Sequence, residues 1–260
     1  RHGKAVVTTS IGGVILPFVS ALIAVRVAPS IWRQPTPIGA LSLFLGAALA
    51  ISALPVIARI ILDLRFERLP LASVVLASAT VDDVLGWTLF AVIVGRKAPL
   101  TTMTVVPFLL GALLSPRFGR NEKLRNVVIL LLAPFFFVSL GLRVNFIANF
   151  DWVLVVVVIL IASIGKIAGV TLGARVGGFA MREAVAIGMA MNARGAVEMV
   201  LASVALQVNL IDGRMFVALV TMAVVTSAIA GPAMRLMLSR SLHAGSSSLQ
   251  EVRSASEPAA

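Results

Sequence analysis

The sequence contains no cysteine, only two histidines, and a low proportion of charged residues, 13%. Without cysteine there is no disulfide framework, no thiolate metal site and no cysteine nucleophile. Because the two histidines, His2 and His243, lie near the ends, we do not expect a histidine-based metal or proton site. Any chemistry must therefore use carboxylates, amides, hydroxyls and basic side chains, and we expect no bound cofactor and no enzymatic activity.

The apolar content excludes a soluble protein. Of the 260 residues, 59% are hydrophobic, and the mean hydropathy is +1.04. A bilayer-spanning helix needs about 20 apolar residues, so the chain has room for about eight helices. The apolar runs are continuous rather than alternating, which favours helices over a membrane barrel. The sequence therefore predicts an all-α, polytopic protein that lies in the lipid bilayer.

Eight apolar runs define the predicted spans, named a to h in chain order. They cover Ala5–Ala28, Pro37–Leu64, Leu69–Val94, Leu100–Leu114, Arg125–Leu142, Phe150–Ala174, Met181–Val208 and Phe216–Leu238. In span f, Gly169, Gly173 and Gly177 are spaced by four, which predicts close helix packing rather than a phosphate-binding loop. We assign residues 1–242 to a transmembrane domain. Residues 243–260 are rich in Ser, Ala and Glu and are expected to form a disordered cytoplasmic tail.

The positive charge predicts the orientation. There are 22 Lys and Arg against 11 Asp and Glu, a net charge of +11. In a membrane protein such an excess is typical of cytoplasmic loops, and we do not expect nucleic acid as a partner. When Arg59, Lys166 and Arg194, which lie within spans, are set aside, 13 basic residues of the loops, span ends and termini fall on the side of the two termini and six on the other. This favours eight spans with both termini in the cytoplasm, and we expect the plasma (inner) membrane.

Two of the predicted spans are interrupted at corresponding positions. With this orientation, spans a to c and f to h are inverted relative to each other. The middle member of each triplet carries a break signal, at Ser52–Pro55 in span b and Asn192–Gly195 in span g. Such a pair predicts a transporter core with two crossed discontinuous helices and a site near the midplane. The alternative is that proline and small residues serve only helix packing.

The informative ionisable residues lie deep inside predicted spans: Asp82 and Asp83 in span c, Lys166 in span f, and Arg194 and Glu198 in span g. Each costs at least about 2.5–3.5 kcal/mol at bilayer depth, so they should face the protein interior and have a function. Adjacent residues of a helix point about 100° apart, so the two aspartates need different partners. We predict that Asp83 faces the helix crossing and binds a monovalent cation or protons alternately, while Asp82 pairs with Lys166.

Oxygen ligands for Na⁺ or K⁺ would come from Asp83, from the Ser52 or Thr80 hydroxyl, from the Asn192 amide and from carbonyls freed at the breaks. Competition between cation and proton for one carboxylate is the minimal mechanism of exchange. Alternatives remain for each charge. Asp83 would otherwise be a member of a buried ion pair, and Lys166 would otherwise extend its amine to the interface. Arg194 and Glu198, four residues apart, would simply neutralise each other beside the break.

Several blocks of the sequence resemble one family. They are residues Phe44 to Ala48, Ser52 to Arg59, Thr80 to Trp87, Pro134 to Arg143, Gly165 to Gly169 and Arg182 to Glu198. In this order they resemble the second cation:proton antiporter family, the sodium or potassium/proton exchangers. The resemblance implies a core of crossed broken helices that moves against a dimerisation domain in an elevator-like cycle, and hence a homodimer. It also implies that Asp83 is the essential ion-binding carboxylate. In the family, an acidic residue at the position of Asp82 together with a lysine at that of Lys166 is typical of electrogenic exchange.

The sequence also departs from this family. The family has several helices before the one resembling span a, and usually about two more between span c and the segment beginning at Gly111. We therefore expect an N-terminally truncated and internally shortened member, with much of the scaffold that forms the dimer absent. Val81 stands where the family often has serine or threonine.

Three other functions are possible on the sequence. An intramembrane aspartyl protease needs two aspartates that meet across a water, and adjacent residues of one helix point apart. A ligand-gated potassium efflux system would have a similar fold without one-for-one exchange, but no Gly-rich nucleotide fingerprint is present in the sequence. The third is a non-transporting fragment of an antiporter. The sequence does not distinguish Na⁺ from K⁺ or Li⁺.

Overall fold

The computed structural model describes residues 2–66, 69–95, 133–142 and 144–255. Within them the regular elements are all α-helices, which confirms the predicted fold class. The helices are α1 (His2–Val27), α2 (Pro29–Trp32), α3 (Ile38–Ala50), α4 (Leu54–Asp63), α5 (Pro70–Gly95), α6 (Ala133–Leu142), α7 (Phe146–Asn149), α8 (Trp152–Val176), α9 (Met181–Met191), α10 (Ala196–Gln207) and α11 (Gly213–Ala255).

The described residues contain five segments that are long and apolar enough to cross a membrane. They are Gly3–Val27, Ile38–Asp63, Pro70–Phe90, Trp152–Val176 and Gly213–Leu238, and they correspond to predicted spans a, b, c, f and h. A sixth, span g, is the pair α9 and α10, bent by 46°. The protein is therefore multi-pass. Span d and the first part of span e lie outside the described residues, so the count of eight remains a prediction.

Both predicted interruptions are present. Span b divides into α3 and α4, and the backbone is extended at Ile51 (φ −73°, ψ 146°) and at Ala53 (φ −90°, ψ 90°). Pro55 lies in the first turn of α4, where a backbone N–H would have no carbonyl partner within the helix, so its absence costs no hydrogen bond. Span g divides into α9 and α10 at residues 192–195, where Gly195 is extended (φ −166°). The two breaks thus fall where the sequence predicts them.

The two breaks lie against each other. The Ala53 N–H donates to the Ala193 carbonyl oxygen over 3.0 Å. The Ser52 hydroxyl lies 3.0 Å from the Met191 carbonyl oxygen, at the end of α9. The predicted crossing of two discontinuous helices is therefore confirmed, and the backbone of each break supplies partners to the other.

Close packing of α1 and α8 places Lys166 beside α1. A Cβ atom added to Gly169 or Gly173 would overlap the carbonyl oxygen of Gly12 or Thr8, respectively. One added to Gly177 would lie 2.7 Å from the Ala5 Cα. The absence of side chains at these positions lets the two backbones touch, as the spacing of the glycines predicts.

The opposite face of α1 carries exposed apolar side chains at every fourth residue. They are Val7, Ile11, Ile15, Val19, Ile23 and Val27. A stripe of this kind is destabilising in water and is typical of a helix face that meets lipid or another apolar helix.

Helix α11 extends from Gly213 to Ala255, beyond the predicted end of the membrane domain at residue 242. Its membrane-compatible part ends at Leu238. The division into a transmembrane domain, 1–242, and a disordered tail, 243–260, remains a prediction.

Candidate functional site

A buried ion pair joins α5 to α8. The Lys166 Nζ lies 2.7 Å from the Asp82 Oδ2, and both side chains are 0% exposed. Removing an ammonium and a carboxylate from water is costly, so such a pair must be close and fully hydrogen-bonded. The structure brings together the two residues that the sequence predicts as partners.

Two backbone carbonyls complete the surroundings of this ammonium. The Lys166 Nζ donates to the Ala50 carbonyl oxygen over 2.5 Å and to the Gly13 carbonyl oxygen over 3.0 Å. An ammonium has three N–H donors, and the three acceptors come from α1, α3 and α5. Lys166 therefore links the end of α3 at the crossing to two spanning helices.

Ser52 connects the ion pair to the other break. Its Oγ lies 3.3 Å from the Asp82 Oδ2 and 3.0 Å from the Met191 carbonyl oxygen. A hydroxyl has one proton to donate, so Ser52 can fully serve only one of these acceptors at a time. The fully buried Ser52 side chain lies between the carboxylate and the crossing.

Asp83 has different surroundings from Asp82. It is half-buried, and its Oδ1 is buried without a hydrogen-bond partner among the described residues. The Oδ1 of Asp82 is also buried and unpartnered there. An ionised carboxylate accepts several hydrogen bonds or binds a cation, so these oxygen atoms retain capacity for a ligand. As expected for neighbours on a helix, only Asp82 forms the ion pair with Lys166.

Arg194 caps the end of α3. Its guanidinium is 3.0 Å from the Ala48 carbonyl oxygen, 2.6 Å from that of Leu49 and 3.3 Å from that of Ile51. The last carbonyls of a helix lack helical partners and carry partial negative charge, so a cation stabilises them. Arg194 is 1% exposed and therefore acts as an internal cap. Sequence reasoning missed this function, although a helix that ends inside a membrane requires such donors.

Glu198 balances the charge of Arg194. The Glu198 Oε2 lies 3.1 Å from the Arg194 Nη1, and its side chain is 2% exposed. The spacing of four predicts this pair, but Arg194 lies in the break before α10, so the pair joins the break to the first turn of α10 rather than two turns of one helix. The contacts of Arg194 with α3 give the pair an architectural role as well. On the opposite side, the Ser227 hydroxyl of α11 donates to the Arg194 carbonyl oxygen.

The two other predicted ligands lie in different environments. The Asn192 Nδ2 lies 3.2 Å from the Ser163 Oγ, and its Oδ1 is buried without a partner among the described residues. Asn192 therefore lies at the crossing with a free acceptor. Thr80 is exposed, and its hydroxyl donates to the Leu76 carbonyl oxygen of its own helix over 2.9 Å. The structure thus brings Asn192 to the crossing and leaves Thr80 outside the buried cluster.

The oxygen atoms available suit a hard cation better than a transition metal. The part of the chain that the structure describes has no group of three or more His, Cys, Asp or Glu that could hold a metal ion. The buried oxygens without partners among the described residues include carboxylate and amide atoms of Asp82, Asp83 and Asn192. Such ligands bind hard cations.

A cavity of about 360 Å³ lies beside the crossing. Its lining includes Ala53, Val56, Arg194, Gly195 and Val224, and it is mostly apolar. Neither Asp82 nor Asp83 lines it, so it is distinct from the cluster of carboxylates.

A sequence model of a family described as "Sodium/hydrogen exchanger, transmembrane" matches residues 101–240. The match covers more than half of the chain, and the chain belongs to this sodium/hydrogen exchanger family. It is therefore a cation:proton antiporter family member, as the resemblance of the sequence blocks implies.

Curated proteins with related sequences are named antiporters. Cation/H(+) antiporter 15 of Arabidopsis thaliana is 26% identical over 91% of this chain and 37% of its own length. Na(+)/H(+) antiporter NhaS4 of Synechocystis sp. is 27% identical over 88% of this chain and 73% of its own length. K(+)/H(+) antiporter 1 of Saccharomyces cerevisiae is 23% identical over 75% of this chain and 31% of its own length. The chain thus spans little more than a third of the plant protein.

Both of the first two alignments contain positions that face no residue of this chain. The plant alignment has 309 positions, whereas 91% of 260 residues is about 237, so about 72 positions face no residue here. The cyanobacterial alignment has 301 positions against about 229 residues, which again leaves about 72. In total these positions equal the length of about two spans with their loops, the amount by which the sequence is predicted to be shortened.

Proposed function

We propose that this chain exchanges a monovalent cation, Na⁺ or K⁺, for protons, and that Asp83 binds both. The observation that carries the proposal is the Asp83 carboxylate, with a buried oxygen that has no partner among the described residues. It lies one residue from the Asp82–Lys166 pair, which connects α5 to the crossing. The names of the relatives, which include Na(+)/H(+) and K(+)/H(+) antiporters, support this choice of ions.

In the proposed cycle, a cation and protons compete for one site. The cation binds to Asp83 together with oxygen atoms of the crossing, for which Ser52, Asn192 and the backbone of the breaks are the candidates. Protonation of Asp83 removes the charge that holds the cation and releases it. The core then moves with either the cation or the protons bound, so that neither ion crosses alone.

The ion pair makes electrogenic exchange our preferred form of this cycle. Two carboxylates and one ammonium lie close together, so more than one proton can be displaced when a cation binds. If Lys166 releases its proton as the cation arrives, two protons move for one monovalent cation. Net charge then crosses the membrane in each cycle.

We also propose an arrangement in the cell. The distribution of Lys and Arg supports both termini in the cytoplasm and insertion in the plasma (inner) membrane. A homodimer, if the scaffold helices are present, would hold the scaffold still while the core moves.

The test measures cation-driven proton flux. The purified protein is inserted in the membrane of vesicles that enclose a pH-sensitive dye. Addition of Na⁺ or K⁺ should change the internal pH in a saturable way, and Asp83→Asn should remove the response. Potassium flux without coupled proton movement would contradict exchange and favour an efflux system. Cation binding without any flux would instead favour a non-transporting fragment.

A further inference from the structure

Pro17 leaves a carbonyl free in the middle of α1. In an α-helix the N–H of one residue donates to the carbonyl four residues before it, and proline has no N–H. The carbonyl oxygen of Gly13 therefore has no helical donor from residue 17. Both Gly13 and Pro17 are buried, and a carbonyl without a partner at membrane depth is destabilising by several kcal/mol.

Lys166 supplies the missing donor. Its Nζ lies 3.0 Å from the Gly13 carbonyl oxygen, in a contact that is fully buried. Proline is tolerated in membrane helices where a neighbouring group satisfies the carbonyl that it frees. Here that group is an ammonium, which forms a stronger hydrogen bond than a neutral donor.

The contact depends on residues without side chains in both helices. A Cβ atom added to Gly13 would lie 2.8 Å from the Val170 Cγ2 and 3.6 Å from the Lys166 Nζ. One added to Gly165 would lie 3.0 Å from the Pro17 Cα. Gly13 therefore lies in α1 beside the ammonium of Lys166, and Gly165 lies in α8 beside Pro17.

We propose that the Gly13 carbonyl, freed by Pro17, anchors the charged form of Lys166. The anchor thereby sets how readily Lys166 leaves Asp82 when a cation binds the site. This rests on the proposed exchange function. In the proposed cycle Lys166 leaves its contact with Asp82, whereas the carbonyls of Gly13 and Ala50 are fixed by the backbone. Gly13 and Pro17 are positioning residues, because they act on the ion through Lys166.

Pro17→Ala is the variant that tests this anchor. It restores an N–H that donates to the Gly13 carbonyl, which Lys166 must then share, and it keeps the Cα that lies against Gly165. The ammonium then loses part of its stabilisation. A cation should displace it more readily, and the cation concentration for half-maximal exchange at fixed pH should fall roughly three- to tenfold, with a smaller change in maximal rate.

Pro232→Ala is the matched control. Pro232 also lies inside a spanning helix, α11, and Ala228, four residues before it, is exposed rather than next to Lys166. This variant should leave the half-maximal cation concentration unchanged. An unchanged or higher value for Pro17→Ala, or an equal fall for Pro232→Ala, would overturn the proposal and leave Pro17 as a packing residue.

A stability cycle tests the anchor without transport. It uses an Asp82→Asn background, because Lys166→Met alone would leave Asp82 buried without its charge partner. With Lys166 present, Pro17→Ala adds a second donor to a carbonyl that is already hydrogen-bonded and should change the melting temperature in detergent little. With Lys166→Met, the same substitution satisfies a free carbonyl and should raise it clearly. Equal effects in the two backgrounds would overturn the anchor, whether or not the protein transports.

Discussion

The N–H of Ala53 donates to the carbonyl oxygen of Ala193 over 3.0 Å, so the two helix breaks are joined by a direct backbone hydrogen bond. Side chains make the joint reciprocal. Ser52, in the first break, reaches the last carbonyl of α9, and Arg194, in the second, reaches the last carbonyls of α3. Because each break satisfies the helix end of the other, a ligand that disturbs one break must also affect the other.

The first prediction concerns Asp83. Its amide analogue, Asp83→Asn, is nearly isosteric but can neither bind a proton nor supply a negative charge to a cation. We expect saturable Na⁺/H⁺ or K⁺/H⁺ exchange in vesicles to disappear, while the melting temperature of the purified protein changes little, since the Asp83 Oδ1 has no partner among the described residues.

Asp63→Asn is the control for this substitution. Asp63 pairs with Arg59 on the surface, where their side chains are 57% and 77% exposed. The same chemical change at an exposed site should leave exchange intact. Residual saturable exchange by Asp83→Asn would rule out the carboxylate as the shared site.

The second prediction concerns the crossing. A Cβ atom on Gly195 would lie 2.9 Å from the Val56 Cγ2 and 3.1 Å from the Ala53 Cβ. Gly195→Leu should therefore separate the breaks and weaken cation binding, measured as the cation-dependent rise of the melting temperature. Gly39→Leu, where a Cβ would meet nothing within 4 Å, is the matched control. Unchanged affinity in Gly195→Leu would mean that the ion does not bind at the crossing.

The sequence predicts most of the fold because its signals are local. Long apolar runs specify spanning helices, and Pro55 and the Asn192–Gly195 segment mark the breaks. The contact between the two breaks is predicted by the resemblance to the antiporter family and by the inverted order of the helices. Span d lies outside the described residues and remains untested.

The site was harder to predict, because half of its contacts use backbone atoms. Charge inside a span identifies Asp82 and Lys166 as partners, but side-chain identity says nothing about the Ala50 carbonyl. One of these backbone contacts does have a sequence signal. Pro17, four residues after Gly13 in an apolar run, marks a carbonyl without a helical donor. The sequence favours Thr80 as a ligand for its hydroxyl, but that hydroxyl donates to the backbone of its own helix in the structure.

The third prediction separates architecture from ion binding. Arg194→Gln removes the donors that cap α3 and leaves Glu198 buried without its charge partner. Breaking a buried pair in this way costs about 3–5 kcal/mol, so the free energy of unfolding in detergent should fall by that order. Arg59→Gln, at an exposed pair, should change it little. A small effect of Arg194→Gln would contradict the capping function.

The last prediction concerns charge movement and follows from the buried contact of Lys166 with Asp82. Asp82→Asn removes one titrating group and should bring the exchange closer to one proton for one cation. The variant should be less stable, because the ammonium keeps its two carbonyls but loses its charge partner. Each elementary charge moved is worth about 2.3 kcal/mol per 100 mV, so uptake by the unaltered protein should respond to an imposed potential.

Cation uptake in vesicles, measured at several membrane potentials set with an ionophore, checks this prediction. The unaltered protein should take up the cation at a rate that changes with the potential, and Asp82→Asn should retain exchange with a weaker dependence. Asp63→Asn should behave as the unaltered protein, because its exposed carboxylate lies outside the site. Uptake that ignores the potential in the unaltered protein would exclude electrogenic exchange and leave electroneutral exchange at Asp83 as the mechanism, since one proton replaced by one monovalent cation moves no net charge.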